Sequence, residues 1–541
     1  MLAALLPLVL AASPAALAAD DDWDFELEGY YAARAYSFRG LYDGQDGPGR
    51  YATQRLRLQP GLNFENRAKF YMLADVLDNV VWGDNQNLAS TAVFAGNPSN
   101  TDVDGQESAT FQVKRAWLDF SIPVGVIKVG RQPSNWGMGL LANEGNGFDD
   151  TFGENKYGAT YDRFIFATRP IAIAQTIAGR DPADIPLYAA VGIDRLVEDP
   201  LIQYYGYKCE SDLVEGVDDT YDSRCDEDGD GTTDLDHSVT DDTFTEGQRK
   251  QDWWVDGEDD VYEMIYVLVY RAEGVEMGGQ PTDLTAGVYV VNRRQGETDS
   301  NVLIGDAYLK YERRGVYVEA EVLTIRGETS AVALPGAFDP YGELKNPLYK
   351  EASITGYVGR AGYQTDSWTA MFETGYASGD DNVADVAFTG RPLSPDFNVG
   401  LLLYEEVLAR VTATTWTADA DGLWSNGGVY NSRYIFPNLR LRPIKDMEIT
   451  AAMLVAWPDK PDGSRILCAD GDDVECELYQ ATAKTLGTEY DLAVKYKLHR
   501  RVLFSLEGGY LAATDRLPLT NVGLNGDGKF VTVQSRIAYE F

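Results

Sequence analysis

Apolar and polar residues alternate with a period of two in many short stretches of this chain. Near its start, Trp23, Phe25 and Leu27 alternate with acidic residues, and the stretches 55–64 and 489–498 repeat the pattern. Such alternation is typical of β-strands with one apolar and one polar face. The pattern predicts about 18 strands, placed near residues 24–38, 51–65, 67–82, 109–121, 125–132, 159–168, 185–194, 259–272, 282–294, 302–312, 315–326, 350–364, 367–378, 430–443, 447–457, 487–498, 501–513 and 529–541.

The connections between the predicted strands are alternately short and long along the chain. The short ones are Asn66–Arg67, Pro123–Gly125, Arg313–Arg314, Thr365–Ser367, Ile444–Asp446 and His499–Arg500. The long ones span residues 83–108, 132–158, 195–257, 329–348, 379–429, 458–485 and 515–528. A soluble β-sandwich gives no reason for this alternation, whereas a membrane barrel has short periplasmic turns at one rim and long extracellular loops at the other.

The predicted fold is therefore all-β: a transmembrane, antiparallel, up-and-down β-barrel of about 18 strands. Hydrocarbon cannot satisfy the polar edge of an open sheet, so the sheet is expected to close on itself. An even number of strands places both termini in the periplasm. The segment 169–185 is too long for a turn and contains IAIAQTIAG. It fits a short helix or an additional strand, so barrels of about 16 or 20 strands stay open.

Composition narrows the class of membrane protein. The chain has 541 residues and a formal net charge of −39, and after the N-terminus it has no apolar run of the roughly 20 residues that a membrane-spanning helix needs. This excludes a helical membrane protein. The apolar residues 1–18, ending in Ala16-Leu17-Ala18, predict a secretory signal peptide, with a buried N-terminal helix as the alternative. Residues 19–541 are then expected to form a single barrel domain.

The polar face of a membrane barrel lines its lumen, so strand parity predicts which charges point inward. The predicted channel-lining cations are Arg34, Arg55, Arg57, Lys69, Arg115, Lys128, Arg440, Arg442, Lys495, Lys497 and Arg536. They indicate either a cationic ladder that attracts anions or ion pairs that stiffen a wide barrel, and both interpretations stay open. On the apolar face, aromatic residues near strand ends, such as Trp23, Trp368 and Tyr510, predict girdles at the two membrane interfaces.

Four cysteines occur as two close pairs in acidic, polar segments. Cys209 is followed by Cys225, and Cys468 by Cys476. In an exported protein this spacing predicts two local disulfides. Zinc ligation is the alternative, but neither pair has the tight spacing or the partner histidines of a zinc site.

The predicted loop 195–257 is the most acidic part of the chain and contains DEDGDGTTDLD. Positions 1, 3, 5 and 9 of a calcium loop are occupied by Asp226, Asp228, Asp230 and Asp234. Position 12 holds His237 instead of glutamate, so the motif departs from an EF-hand and resembles the shorter calcium repeats of thrombospondin-type and dockerin-type modules. The sequence predicts Ca²⁺ here, where the ion would also bridge lipopolysaccharide phosphates, or a solvated acidic loop without metal. No organic cofactor is expected.

Catalysis is not expected, because the chain has only two histidines, His237 and His499. Barrel phospholipases need a Ser–His pair on the wall, and omptin-type proteases need a histidine beside an aspartate at the extracellular rim. His499 falls in a predicted periplasmic turn and His237 in the long acidic loop. The protein is therefore expected not to be an enzyme, and no nucleic-acid partner is expected.

The segment Arg115–Phe152 reads RAWLDFSIPVGVIKVGRQPSNWGMGLLANEGNGFDDTF. An amphipathic strand, a Pro-Val-Gly turn, Val-Gly-Arg-Gln and a Trp/Gly-rich loop follow one another in it. The segment resembles Gram-negative outer-membrane porins, and together with Asp162-Arg163 it also resembles alginate-export-type channels of 18 strands. The resemblance implies a loop that folds inward and narrows the pore, for which residues 132–158 are the candidate. An ordinary surface loop is the alternative.

The chain ends in SRIAYEF, in which Ile537, Tyr539 and Phe541 share one face of the last predicted strand. This ending resembles the C-terminal signal that the barrel-assembly machinery of Gram-negative outer membranes recognises. It predicts that the last strand pairs with the strand beginning near Trp23, and that the aromatic side chains face lipid.

Together these features predict a channel, or porin, of the Gram-negative outer membrane for passive or facilitated diffusion of small hydrophilic and anionic solutes. Two alternatives stay open: an export channel for an anionic polysaccharide, and a plugged barrel with a surface, adhesin-like role. The expected partners are outer-membrane lipid and lipopolysaccharide, the barrel-assembly machinery and the solute, and a homo-oligomer is left open.

Overall fold

A computed structural model describes residues 23–41, 49–65, 67–82, 111–148, 151–181, 185–198, 261–276, 278–296, 300–329, 350–380, 386–412, 425–460, 482–520 and 522–541. No helix in these ranges is long and apolar enough to cross a membrane. Alternating apolar and polar residues form strands throughout, as expected for β-branched and aromatic side chains on a pleated surface.

The described ranges contain 19 strands, named here in chain order. They are β1 Trp23–Arg39, β2 Arg50–Phe64, β3 Ala68–Val81, β4 Phe111–Ile122, β5 Gly125–Pro133, β6 Thr160–Thr168, β7 Leu187–Glu198, β8 Val261–Glu276, β9 Pro281–Gln295, β10 Ser300–Arg313, β11 Val316–Thr329, β12 Lys350–Gln364, β13 Trp368–Ala377, β14 Ala387–Phe388, β15 Ser432–Leu441, β16 Met447–Pro458, β17 Gly487–His499, β18 Val502–Ala513 and β19 Lys529–Glu540. One helix, α1, spans Pro170–Ile177 between β6 and β7. The segment 169–185 therefore contains a helix, and among its described residues, 169–181 and 185, no strand is added to the barrel.

The strands form one closed antiparallel sheet. Each long strand pairs with its neighbours in the chain, and β1 pairs with both β2 and β19. The two-residue strand β14 lies parallel to the end of β12, and β13 pairs directly with β15. Leaving β14 aside, 18 strands close the barrel, which confirms the predicted fold class and strand number.

The closing seam joins the first strand, β1, to the last strand, β19. Tyr30 lies opposite Glu540, and the Phe541 amide donates to the carbonyl oxygen of Gly29 at 3.1 Å. A Cβ on Gly29 would lie 2.2 Å from the Arg57 carbonyl oxygen and 3.0 Å from the Phe541 ring, so only glycine fits here. The predicted pairing of SRIAYEF with the first strand is confirmed, and Tyr539 is 46% exposed on the outer face.

The outer surface of the barrel is apolar between two aromatic bands. The turn rim is the end at which β1 begins, β19 ends and short turns such as 123–124 and 500–501 lie; the opposite end is the loop rim. Exposed aromatic residues at the turn rim include Trp23, Phe70, Trp368 and Tyr539, and those at the loop rim include Trp82, Phe111, Tyr262 and Tyr510. Such girdles are typical of membrane barrels, because aromatic rings favour the headgroup level. Two connections depart from the alternation of short turns and long loops. Only residues 296–299 separate β9 from β10 at the loop rim, whereas residues 169–186 separate β6 from β7 at the turn rim.

Candidate solute channel

Six of the predicted cations lie buried inside the barrel on neighbouring strands. They are Arg34 on β1, Arg55 and Arg57 on β2, Arg115 on β4, Lys128 on β5 and Arg536 on β19. Because β19 pairs with β1 and β1 with β2, and the order continues through β3 to β5, these residues share one side of the wall. We call this side the cationic sector.

Two of these cations form ion pairs with a carboxylate on a neighbouring strand. Arg57 donates from Nε and Nη2 to both carboxylate oxygens of Asp75, at 2.7 and 2.8 Å, and Lys128 Nζ lies 3.0 Å from Asp119. Both pairs are direct register partners across an antiparallel ladder. Cross-strand pairs of opposite charge stabilise the sheet, so Arg57 and Lys128 match the interpretation in which charges stiffen the wall.

The other predicted cations lie outside this cluster of six. Lys69 is partly buried opposite Asp119, and the Lys495 Nζ lies 3.4 Å from the Phe148 carbonyl oxygen. Arg440 and Arg442 pair with Glu448 near the turn rim at 3.2 and 3.5 Å, and Lys497 is exposed. A role in lining a conducting channel stays a prediction for all eleven residues.

The opposite side of the interior carries buried apolar residues beside buried carboxylates such as Asp306 and Glu321, and strand parity did not predict the apolar ones. We call strands β8 to β13 the apolar sector, because their buried inward residues include Ile265, Val269, Val291, Ile304, Leu323 and Ile354. Parts of these strands carry apolar residues on both faces, as MIYVLVY in β8 illustrates. A nearly continuous apolar run signals a strand buried on both sides, and this was the signal in the sequence that could have revealed the sector.

The described residues of the connection from β5 to β6, 134–148 and 151–159, lie inside the barrel, as predicted from the porin resemblance. We call it the first inserted loop. Arginines of the cationic sector donate to its backbone carbonyls: Arg57 to Gly145 at 2.8 Å, Arg115 to Glu144 at 2.9 Å and Arg55 to Lys156 at 3.1 Å. These bonds satisfy carbonyl groups that would otherwise be buried without a partner.

Acidic and apolar groups hold the other side of the first inserted loop. Glu321 accepts the Met138 amide and, at 3.3 Å, the Leu140 amide, while Asp306 accepts the Trp136 indole N–H at 2.9 Å. The Trp136 ring stacks on Tyr289 of β9 with centroids 5.4 Å apart. The loop is therefore fixed between the two sectors by backbone hydrogen bonds on one side and by packing and carboxylates on the other.

A second loop enters the lumen, which the sequence interpretation missed. The described parts of the connection from β13 to β15, residues 378–380, 386–412 and 425–431, are the second inserted loop. Within them the amides of Leu401, Leu402 and Leu403 donate to Glu489 on β17 at 2.6, 2.8 and 2.7 Å. Its π-helical turn, Leu403–Leu408, follows directly. The apolar run GLLLYEEVL is unusual for a surface loop and was the signal available in the sequence.

The two inserted loops also hold each other. Asp396 of the second loop accepts the amides of Lys156, Tyr157 and Gly158 of the first, at 2.6, 3.0 and 2.7 Å. Successive backbone amides form a concave site for an anion, and here a carboxylate of the protein fills it. The loops therefore form one connected body inside the barrel.

Between this body and the cationic sector lies a small polar cavity, which we call the constriction. It is lined by Arg34, Arg536, Glu154, Lys156, Glu406 and Glu507, among others, and its volume is about 30 Å³. A volume of this size holds about one or two water molecules.

The ionisable groups that the loops bring to the constriction are shifted by their neighbours. Burial alone would raise the pKa of Glu154, but Arg34 and then Arg536 hold that pKa below its usual value. Burial would lower the pKa of Lys156, but Glu405 raises it well above its usual value. Burial raises the pKa of Glu406 to about 7, although Lys156 and Arg410 oppose this shift.

Several predicted sites fall outside the described residues. These are the calcium motif with Asp226, Asp228, Asp230 and Asp234, the four cysteines Cys209, Cys225, Cys468 and Cys476, and the signal peptide 1–18. In the part of the chain that the structure does describe, no group of three or more His, Cys, Asp or Glu residues is arranged to hold a metal ion.

No family model and no curated protein matches this chain. Solved structures do match along almost its whole length. OccAB1 from Acinetobacter baumannii is 10% identical, with 98% of this chain and 100% of that chain covered and a TM-score of 0.49. A BenF-like porin from Pseudomonas fluorescens is 9% identical, with 96% and 98% covered and a TM-score of 0.47. Pseudomonas aeruginosa OpdK with vanillate is 10% identical, with 95% and 98% covered and a TM-score of 0.45.

Proposed function

We propose that the protein is a channel of the Gram-negative outer membrane that passes small hydrophilic solutes and prefers anions. The closed barrel with its apolar outer belt supports insertion in a membrane, because only a closed sheet or a helix satisfies its backbone in hydrocarbon. In this proposal the turn rim and both termini face the periplasm, and the loop rim faces the exterior and its lipopolysaccharide.

The observation that carries the proposal is the cationic sector. Its buried guanidinium groups lie along one side of the lumen and reach the constriction through Arg34 and Arg536. Charges inside a narrow passage act through a low-dielectric wall and are screened less than charges at a surface. A passage bordered by such a sector lowers the energy of an anion relative to a cation.

Small solutes fit the interior better than a polymer does. An anionic polysaccharide needs a continuous cationic path, whereas here the lumen is crossed by two inserted loops and its far side carries buried apolar residues and carboxylates. A plugged barrel with a structural role is the second candidate, because the inserted loops leave a cavity of only about 30 Å³ at the constriction.

Reconstitution in planar bilayers separates these functions. The purified full-length protein is inserted, the single-channel conductance is recorded, and the reversal potential is measured under a KCl gradient. The proposal predicts discrete conductance steps and a reversal potential on the anion-selective side. No conductance would favour the plugged barrel, and a strongly cation-selective reversal potential would reject the anion preference.

Three further proposals rest on the sequence. Ca²⁺ is proposed to bind Asp226, Asp228, Asp230 and Asp234, and two local disulfides are proposed to close the cysteine-containing segments. Ile537, Tyr539 and Phe541 are proposed to engage the barrel-assembly machinery. Calorimetric titration of the full-length protein with Ca²⁺, compared with an Asp228→Asn, Asp230→Asn variant, tests the first; equal heats from both proteins would reject it.

A further inference from the structure

Helix α1 is apolar on all its sides, and yet none of its residues is buried in the protein. Its sequence PIAIAQTI has no charged residue, and Ile177 is 82% exposed. The hydroxyl of Thr176 donates to the Ala172 carbonyl oxygen at 2.9 Å, so it is satisfied without water. A helix that is hydrophobic all round is normally covered by a protein core or by a membrane. The described part of the chain does not supply such a cover for α1.

Helix α1 lies against the outer face of the barrel at the turn rim. On β7, Val191 and Ile193 are 45% and 58% exposed, and because successive strand residues alternate between the two faces, the odd-numbered residues of β7 point outward. Leu187 shares this outward face and lines a groove together with Ile171 and Ala174 of α1. The groove is therefore continuous with the apolar belt of the barrel, which is the surface that meets lipid.

The groove between α1 and β7 has a volume of about 460 Å³. Its apolar lining residues are Pro170, Ile171, Ala174, Ala178 and Leu187, and its polar ones are Gln175 and Arg180. A cavity with such a lining favours hydrocarbon over water, because water in it would find few polar partners. The occupant that fits both this lining and the position of the groove is a hydrocarbon chain from the membrane.

The end of α1 brings a cation to the edge of the groove. Gly179, with φ +66°, ends the helix, and the Arg180 amide donates to the Gln175 carbonyl oxygen at 2.9 Å. This is the hydrogen bond of a Schellman motif, which reverses the chain after a helix. Because of the reversal, the exposed Arg180 lines the groove together with the last turn of α1. A guanidinium group matches the geometry of a phosphate.

We infer that the groove between α1 and β7 binds one phospholipid of the membrane leaflet at the turn rim. One acyl chain lies against Ile171, Ala174 and Leu187, and the Arg180 guanidinium binds the phosphate of the headgroup. The lipid covers the apolar surface of α1 and holds the helix at the level of the headgroups, where apolar helices with flanking basic residues are stable. This site lies on the outer face of the barrel and does not depend on conduction through the lumen.

The test is native mass spectrometry of the full-length protein, released from detergent micelles and titrated with palmitoyl-oleoyl-phosphatidylglycerol. The spectra give the dissociation constant of the first bound lipid for wild type, Ile171→Asn and Arg180→Gln. A parallel titration uses the diacylglycerol with the same two chains, which lacks the phosphate. The matched controls are Ile444→Asn and Arg314→Gln, because both residues are exposed in other turns of the same rim.

The two variants are expected to separate the chain from the headgroup. Ile171→Asn is expected to raise the dissociation constants of both lipids about tenfold, because an amide would be desolvated in the groove. Arg180→Gln is expected to raise that of the phospholipid about fivefold and to leave that of the diacylglycerol unchanged, because only the phospholipid offers a phosphate to the guanidinium. Both controls are expected to stay within about twofold of wild type, as is usual for surface substitutions.

Three results would overturn the inference. Equal dissociation constants for Ile171→Asn and Ile444→Asn would show that the groove does not seat the lipid. Equal constants for Arg180→Gln and Arg314→Gln would reject the phosphate contact. A dimer without bound lipid that Ile171→Asn dissociates would assign the groove to a second copy of the chain. Folding of each variant is checked by the shift of the folded barrel on unheated gels, and Ile171→Ala replaces Ile171→Asn if that variant does not fold.

Discussion

The cationic sector and the apolar sector form opposite sides of one lumen and treat the inserted loops in different ways. On the cationic side, Arg55, Arg57 and Arg115 donate to loop carbonyls, so side-chain charge meets backbone polarity. On the apolar side, residues such as Leu323 and Ile354 belong to one buried apolar cluster with loop residues, including Leu140 and Leu402. One wall therefore orders the loops by arginine donors, and the other by burial together with the acceptors Asp306 and Glu321.

The difference between the two sectors shows how one barrel holds two ordered inserted loops and still keeps a polar space beside the cationic sector. Apolar packing is non-directional and supplies most of the stabilisation, whereas hydrogen bonds to charged groups fix position at a modest net gain. The inserted loops thus contact both sectors. A small polar cavity remains beside Arg34 and Arg536, and a larger one, of about 350 Å³, lies beside Trp136, Val269 and Tyr308.

The largest expected effect comes from breaking the apolar side. Leu402 is fully buried in the second inserted loop, and Leu402→Asp places a charge where no partner is available, which costs several kcal/mol. We expect the second loop to leave the lumen and single-channel conductance to rise by about threefold or more. Leu402→Met keeps the volume and the apolar character and serves as the control. Equal conductance in Leu402→Asp and wild type would contradict the role assigned to packing.

The next effect comes from removing charge on the cationic side. Arg34→Gln combined with Arg536→Gln leaves Glu154 and Glu507 at the constriction without these cations. The reversal potential under a KCl gradient is expected to move toward cation selectivity, with the anion-to-cation permeability ratio falling by about threefold to tenfold. Arg131→Gln is the matched control, because Arg131 pairs with Asp162 at 2.8 Å on the outer face. A shift of the same size in both variants would show that the sector does not set the selectivity.

A smaller effect is expected from pH, through Glu406 on the loop side of the constriction. Because burial raises the pKa of Glu406 to about 7, the carboxylate is charged above that pH and becomes neutral as the pH falls through it. Loss of this negative charge favours anions, so the anion-to-cation permeability ratio is expected to rise by about twofold between pH 8 and pH 6. Glu406→Gln should behave at both pH values like the wild type at the lower one. A wild-type ratio that does not change with pH would reject this role.

The smallest effect is expected from ionic strength. The screening length falls from about 10 Å at 0.1 M salt to about 3 Å at 1 M, but buried charges such as Arg34 and Arg536 are screened less than surface charges. Anion selectivity is therefore expected to decrease by less than about half between these concentrations. A complete loss of selectivity at the higher concentration would indicate that charges at the exposed rims, and not the cationic sector, set the preference.

The period-two alternation of apolar and polar residues predicted most of the barrel. Strand positions, the strand number, the pairing of SRIAYEF with β1 and the outward aromatic bands all followed from it, because a period of two is a local property and hydrocarbon leaves only a closed sheet as a solution. The buried positions of Arg34, Arg55, Arg57, Arg115, Lys128 and Arg536 followed from the same parity.

Contacts between residues far apart in the chain determine which groups fill the lumen. Glu154 meets Arg536 across 382 positions, and Glu489 holds Leu401 across 88. No local pattern specifies such pairs, because loops have no period that relates them to a partner strand. Whether a loop of this barrel lies outside or inside depends on which wall offers apolar surface and which offers donors. The position of a loop is therefore determined only once the sheet has closed. That position sets the width and the charge of the passage.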